Sequence, residues 1–141
     1  MPEPLFTGRY LAAFAEELAE NKSLLGLLHP CFRFPHRGEI VLTQEGLLLT
    51  GLGEIKFGEL AKVELAFDSL YSRFWAGGTV GQRARLAFFW RGEPLVLEFF
   101  RDGMKRRLYL LIHWRFFTGF TDNRQVYEIM SRFLNPPVLV R

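Results

Sequence analysis

The residues able to do chemistry in this chain are few and scattered. His29, Cys31 and His36 fall close together in HPCFRFPHRG, and these residue types ligate zinc as neutral imidazole and thiolate. A closed zinc site needs a fourth ligand, and none lies nearby. The stretch is therefore read as a loop without a metal, with Cys31 a buried structural residue. Gly77, Gly78 and Gly81 in AGGTVGQ could offer backbone amides to a phosphate, but the G-x-x-x-x-G-K-[ST] pattern is missing. Strand-like residues follow, so a hairpin loop is expected there. Ser69, Ser72 and Ser131 have no nucleophile-elbow context, and His113 sits in an apolar run between Ile112 and Trp114. Asp68, Glu93, Glu98 and Asp102 are spaced for turns and strand faces, without an acid–base pairing. The reading is of no enzyme: no catalytic residue, metal or cofactor is expected.

One cluster is left. Arg101, Lys105, Arg106 and Arg107 surround a turn, with Arg115 a strand-length later. Guanidinium and ammonium groups crowded at one end of a domain can hold a phosphate or an acidic segment. The favoured reading is a solvated turn whose charges keep a strand edge from aggregating, with the cluster still the best candidate for a binding role. Aromatics interleave with these bases, among them Phe99, Phe100, Tyr109 and Trp114. Alternation along strands sends half of them inward, so they are assigned to the core and nucleic acid is not an expected partner.

The elements that must position these residues follow from size, composition and period. The chain has 141 residues, 49% of them apolar and 15 of them Phe, enough for one packed core. Net charge is +3, divided as −4 over residues 1–70 and +7 over residues 71–141. That skew suits an anionic lipid surface, nucleic acid or an acidic partner. With 14 Arg against 4 Lys, the favoured reading is that Arg is simply the preferred surface residue. The single cysteine excludes an internal disulfide and fits a cytoplasmic setting. No apolar run approaches the length of a membrane span, and MPEPLFTGRY does not read as a signal peptide.

EIVLTQEGLLLT (residues 39–50) reads as a β-hairpin, with Gly46 supplying the positive φ of its loop. Strands are expected at residues 54–57, 60–67, 70–75, 83–90 and 95–100, with Arg101-Asp102-Gly103 as a turn. Residues 106–114 suit a strand better than a buried helix. From Thr7 onward, Leu11, Phe14, Ala15 and Leu18 fall at helical spacing, so an amphipathic helix is expected there. A final helix runs from a Thr121 or Asp122 cap to about Leu134, with Val126, Ile129, Met130 and Phe133 on one face, before Pro136 and Pro137. The apolar tail that follows could lie on a surface or extend a sheet edge.

Short strands followed by one amphipathic helix, together with GEIVLTQEGLLLTG and EIKFGELAKVEL, resemble pleckstrin-homology-like domains, in particular their GRAM-type relatives. The resemblance covers roughly residues 39–134. It implies an α+β fold: a bent antiparallel β-barrel of about seven strands, a C-terminal helix across one open end, and an added N-terminal helix. The division is then 1–38 for the N-terminal helical segment and crossing loop, 39–134 for the barrel and helix, and 135–141 for the tail. Such domains mostly bind lipids, peptides or proteins. The lipid-binding members carry bases beside their first hairpin loop, whereas Thr43-Gln44-Glu45-Gly46 offers an acid. Trp114 also precedes the last helix, where the family commonly carries a Trp on the helix itself. The expected function is a non-catalytic binding or assembly module that engages a protein partner or a second copy. Peripheral binding to anionic lipid through residues 101–107 is the alternative, and a small-ligand carrier or enzyme ranks lower.

Overall fold

A computed structural model describes residues 3–20, 33–66, 68, 70–71, 93–114, 121–134 and 139–140. Its centre is an antiparallel sheet of seven strands curled into a near-barrel: β1 (Phe6–Phe14), β2 (His36–Leu42), β3 (Gly46–Leu49), β4 (Gly53–Lys56), β5 (Leu60–Leu65), β6 (Leu95–Arg101) and β7 (Met104–Ile112). A short helix α1 (Ala15–Glu20) follows β1, and α2 (Asn123–Met130) follows β7. An eighth strand, β8 (Leu139–Val140), pairs in parallel with β5, so the order across the sheet is β4-β3-β2-β1-β7-β6-β5-β8. The two ends of the antiparallel set, β4 and β5, are joined by one 3₁₀ turn (Phe57–Glu59). Among the described residues no helix is long and apolar enough to cross a membrane.

The sheet begins at Phe6, where a helix was expected. β1 pairs with β2 from Phe6↔Leu42 to Ala12↔His36 and with β7 from Tyr10↔Ile112 to Phe14↔Leu108. Helix starts only at Ala15, with Glu17 Oε1 accepting the Phe14 amide at 2.8 Å. The period-2 pattern is hidden in the second half of this strand, where both faces are covered. Tyr10 and Ala12 face the barrel interior, and Ala13 packs in a second apolar cluster on the outside with Leu18, Phe34 and Tyr71. β7 shows the same double burial: Leu108, Leu110 and Ile112 point inward while Tyr109 and Leu111 point outward. Strands buried on both faces read as continuous apolar runs.

The hairpin over residues 39–50 is present, pairing Ile40↔Leu49 and Leu42↔Leu47. Gly46 does not take a positive φ; among the described glycines Gly51, Gly53 and Gly103 do. Close approach requires it instead, since a Cβ there would lie 2.3 Å from the Ile55 carbonyl oxygen on β4. Asp102 and Gly103 both have positive φ, as a two-residue hairpin turn demands. Leu70 and Tyr71 lie in a bend rather than a strand, and the strand expected over residues 83–90 lies outside the described residues.

α2 covers one end of the barrel with Val126, Tyr127 and Met130. It stops at Met130, four residues short of expectation. The next amides bond i→i−3, Arg132 to Ile129 and Phe133 to Met130, and this tighter winding turns Phe133 off the buried face. Phe133 is exposed and stacks on Phe57 at 6.3 Å. Asn123, 1% exposed, locks the helix to the barrel: its Nδ2 donates to the carbonyls of Glu93 (2.7 Å) and Leu110 (2.9 Å), and its Oδ1 accepts the Ile112 amide (2.8 Å).

Candidate functional site

The β6–β7 hairpin places the bases of the sequence cluster near one end of the barrel, but on different faces. Alternation along β7 turns Lys105 and Arg107 outward, and the register sets Arg107 opposite Glu98. Arg107 Nη1 donates to Glu98 Oε1 at 3.0 Å, Nη2 to Asp68 Oδ2 at 3.1 Å and Nε to the Tyr109 hydroxyl at 3.0 Å. Glu64 adds a fourth partner at 3.7 Å. Tyr109 in turn donates its phenol hydrogen to Asp68. Lys105 lies 3.7 Å from the second Glu98 oxygen.

Arg106 points the other way. It pairs with Glu16 of α1 at 3.3 Å and lies 4.1 Å over the Phe14 ring. Arg101 donates to the carbonyls of Leu52 and Glu54, tying the β6–β7 hairpin to the β3–β4 turn. Each described member of the predicted cluster thus already has acidic or carbonyl partners. Arg115 lies outside the described residues. Because β1 precedes them, Thr43–Gly46 form the second hairpin connection. The first spans residues 15–35 and brings the acids of α1 up to Arg106.

Electrostatics around Arg107 reflect burial and pairing together. Burial favours the neutral Asp68 carboxyl, but hydrogen bonds from Tyr109, the Tyr71 amide, Arg107 and the Leu70 amide outweigh it and hold Asp68 below its ordinary value. Burial first, and then the Asp68 hydrogen bond, push the Tyr109 phenol up to about 12. Arg107 is also subject to a desolvation cost, yet its bonds to Tyr109 and Asp68 raise it above its usual range. The network clamps the bend at 68–71 onto the outer face of the sheet; Asp68 Oδ1 also accepts the amides of Leu70 (2.8 Å) and Tyr71 (3.0 Å).

The other end of β7 and its neighbours carry different features. A groove of about 640 Å³ runs over β2, β1 and the end of β7, lined by Arg9, Leu11, Arg37, Glu39, Leu111 and Trp114, with Tyr10, Gly38 and His113 beneath and beside them. Leu11 sits opposite both Arg37 on β2 and Leu111 on β7, while Arg9 sits opposite Glu39. Leu11, half-buried over the fully buried Leu111, thereby forms an apolar floor beside a diagonal pair of arginines. Arg9 and Arg37 are exposed, and no ion pair joins either one to another of the described residues. The volume is in the range that holds a few ligand side chains. Sequence reasoning missed these two arginines because it placed Arg9 on a helix. Read at period two, Thr7-Arg9-Leu11 would have alternated with Gly8-Tyr10-Ala12.

His113, the first residue after β7, takes a left-handed conformation (φ 55°) with its Nδ1 2.6 Å from Asp122 Oδ2. Its ring packs where a Cβ on Gly8 would come within 2.4 Å of Nε2. Asp122, at the N-cap position of α2, makes no side-chain cap bond, and its carboxylate serves this histidine. The arrangement anchors α2 to β1 and β7. Among the described residues there is no group of His, Cys, Asp and Glu placed to hold a metal. No protein-family model matches the sequence, and no curated protein or solved structure matches it.

Proposed function

We propose that this chain is a non-catalytic binding module, built on a pleckstrin-homology-like scaffold, that holds an acidic, partly apolar segment of a protein partner in the β2–β1–β7 groove. The observation that carries the reading is the contrast between two sets of cations. Those around the β6–β7 turn are engaged by Glu98, Asp68, Glu16 and backbone carbonyls, whereas Arg9 and Arg37 stand exposed beside an apolar floor. Arginines in such a position favour carboxylates through paired donors, and the half-buried Leu11 and Trp114 offer surface to an apolar side chain between them. The strand order and the helix after β7 support the scaffold assignment. The filled barrel interior favours surface recognition over a carrier role. A cytosolic setting rests on the single cysteine of the sequence.

The test uses methyl-labelled protein and synthetic peptides that alternate Glu with Leu or Phe. Saturable shifts confined to Leu11 and Leu111 support the groove. Shifts that are equal with Lys-for-Glu peptides, or that fall elsewhere, overturn it.

One observation favours a second reading. Phe100 (52% exposed) and Met104 (66% exposed) flank the β6–β7 turn beside Lys105, a pattern suited to the interface of an anionic membrane. Salt-sensitive co-sedimentation with anionic vesicles only, lost in Phe100→Ser/Met104→Ser, would favour that reading over the groove.

A further inference from the structure

The outer face of the β1–β2 pair forms a small checkerboard at the groove. Register sets Glu39 directly opposite Arg9 and Arg37 directly opposite Leu11, so the arginines lie on one diagonal and Glu39 and Leu11 on the other. Directly opposed side chains start about 5 Å apart, and residues two apart on one strand about 7 Å apart. Glu39 therefore stands near both arginines, yet among the described residues no ion pair joins its carboxylate to either. Its side chain is exposed and lines the groove. What ties Glu39 to the fold is its backbone: the amide donates to Thr50 Oγ1 (2.8 Å), and the carbonyl accepts the Thr50 amide (3.0 Å). Arg9, Arg37 and Glu39 thus set two positive charges and one negative over the same space.

We infer, on the premise that a partner segment binds in this groove, that the segment is not uniformly acidic: it pairs carboxylates with Arg9 and Arg37 and sets one Lys or Arg against Glu39. Charge complementarity carries this. A segment whose every groove-facing residue is acidic would hold a carboxylate against Glu39, a like-charge contact that lowers affinity and rejects such partners. A cation in that place turns the loss into a gain. Spacing follows from the register. An extended segment shows alternate residues to the face below it, about 7 Å apart, which matches the separation of Arg37 and Glu39 along β2. Laid along β2, the segment carries its base two positions from the acid that meets Arg37. Glu39 is then the residue that sets specificity in the groove, while Arg9 and Arg37 supply its affinity.

The experiment uses the full chain and a synthetic peptide that alternates Glu with Leu, beside variants in which each Glu in turn becomes Lys. Affinities are read by fluorescence anisotropy for wild type, Glu39→Gln and Glu39→Lys, with Arg9→Glu/Arg37→Glu as the control for the groove itself. The Glu39 side chain is exposed, so its substitutions keep the fold and a changed ranking reports recognition. Wild type should bind one single-Lys peptide about two- to fivefold tighter than the all-Glu peptide, the range an exposed ion pair reaches. Glu39→Gln should erase that preference, and Glu39→Lys should invert it in favour of all-Glu. A ranking unchanged in Glu39→Gln, whichever peptide wild type prefers, overturns the inference and leaves the groove reading standing. Binding that survives intact in Arg9→Glu/Arg37→Glu, or no saturable binding of any peptide, overturns the groove reading and this inference with it.

Discussion

Arg107 and Asp68, 39 positions apart in sequence, meet at 3.1 Å, and Tyr109 closes the triangle by accepting from one and donating to the other. The pair fastens the bend at 68–71 to the middle of β7. Arg107→Met would leave Asp68, Glu98 and Glu64 facing each other without their shared cation. With the Arg107 side chain 26% exposed, water softens the loss. The expected destabilisation is about 1–3 kcal/mol, read as a lower urea midpoint at unchanged slope.

Acid should loosen the same contact. The Asp68 carboxyl titrates lower in the fold than in the unfolded chain, so its contribution is present at neutral pH and is lost as pH falls through its depressed folded value. Urea midpoints measured from neutral pH down through the carboxylate range should fall more steeply for the wild-type chain than for Asp68→Asn. At the other end, Tyr109 is raised, so its contribution holds below the unfolded value near 10 and is lost as pH rises toward about 12.

Asn123 makes three hydrogen bonds at a site 1% exposed, joining α2 to both β6's approach and the end of β7. Asn123→Ala strands those backbone groups away from water. A loss of about 2–4 kcal/mol is expected, checked by chemical denaturation, together with faster amide exchange at Ile112.

Gly46 and Gly58 give a paired test of close approach. A Cβ at Gly46 would lie 2.3 Å from the Ile55 carbonyl oxygen, whereas one at Gly58 meets nothing within 4 Å. Gly46→Ala should cost about 1–3 kcal/mol by forcing β3 and β4 apart, and Gly58→Ala should be within about 0.5 kcal/mol of wild type. Thermal melts of the two variants decide it.

The parts of the fold legible in the sequence are those with one buried face or strong punctuation. The hairpin over residues 39–50 shows alternation on either side of a Gly-bearing turn, and Asp102-Gly103 marks the β6–β7 turn. The sequence of β1 imitates a helix because its outward residue Ala13 is as buried as Tyr10 and Ala12, and Leu11, Phe14 and Leu18 then fall at helical spacing. Helical spacing puts Phe133 on the helix's buried face because nothing local in the sequence signals the tightening after Met130. The bases at 101, 105, 106 and 107 were visible as a cluster. Their partners Glu16, Glu54, Glu64 and Asp68 come from a helix, two other strands and a bend, and sequence spacing cannot show such contacts. Arg9 and Arg37 become neighbours only once β1 and β2 pair in this register.

The most direct measurement is the affinity of an acidic, apolar peptide for the wild-type chain, Arg9→Glu/Arg37→Glu and Lys105→Glu/Arg106→Glu, each at low and physiological salt. The groove reading predicts salt-sensitive binding by wild type that weakens on the order of tenfold or more in the Arg9/Arg37 variant and little in the other. Equal binding by wild type and Arg9→Glu/Arg37→Glu, with loss only in Lys105→Glu/Arg106→Glu, would contradict it and move the site to the β6–β7 turn.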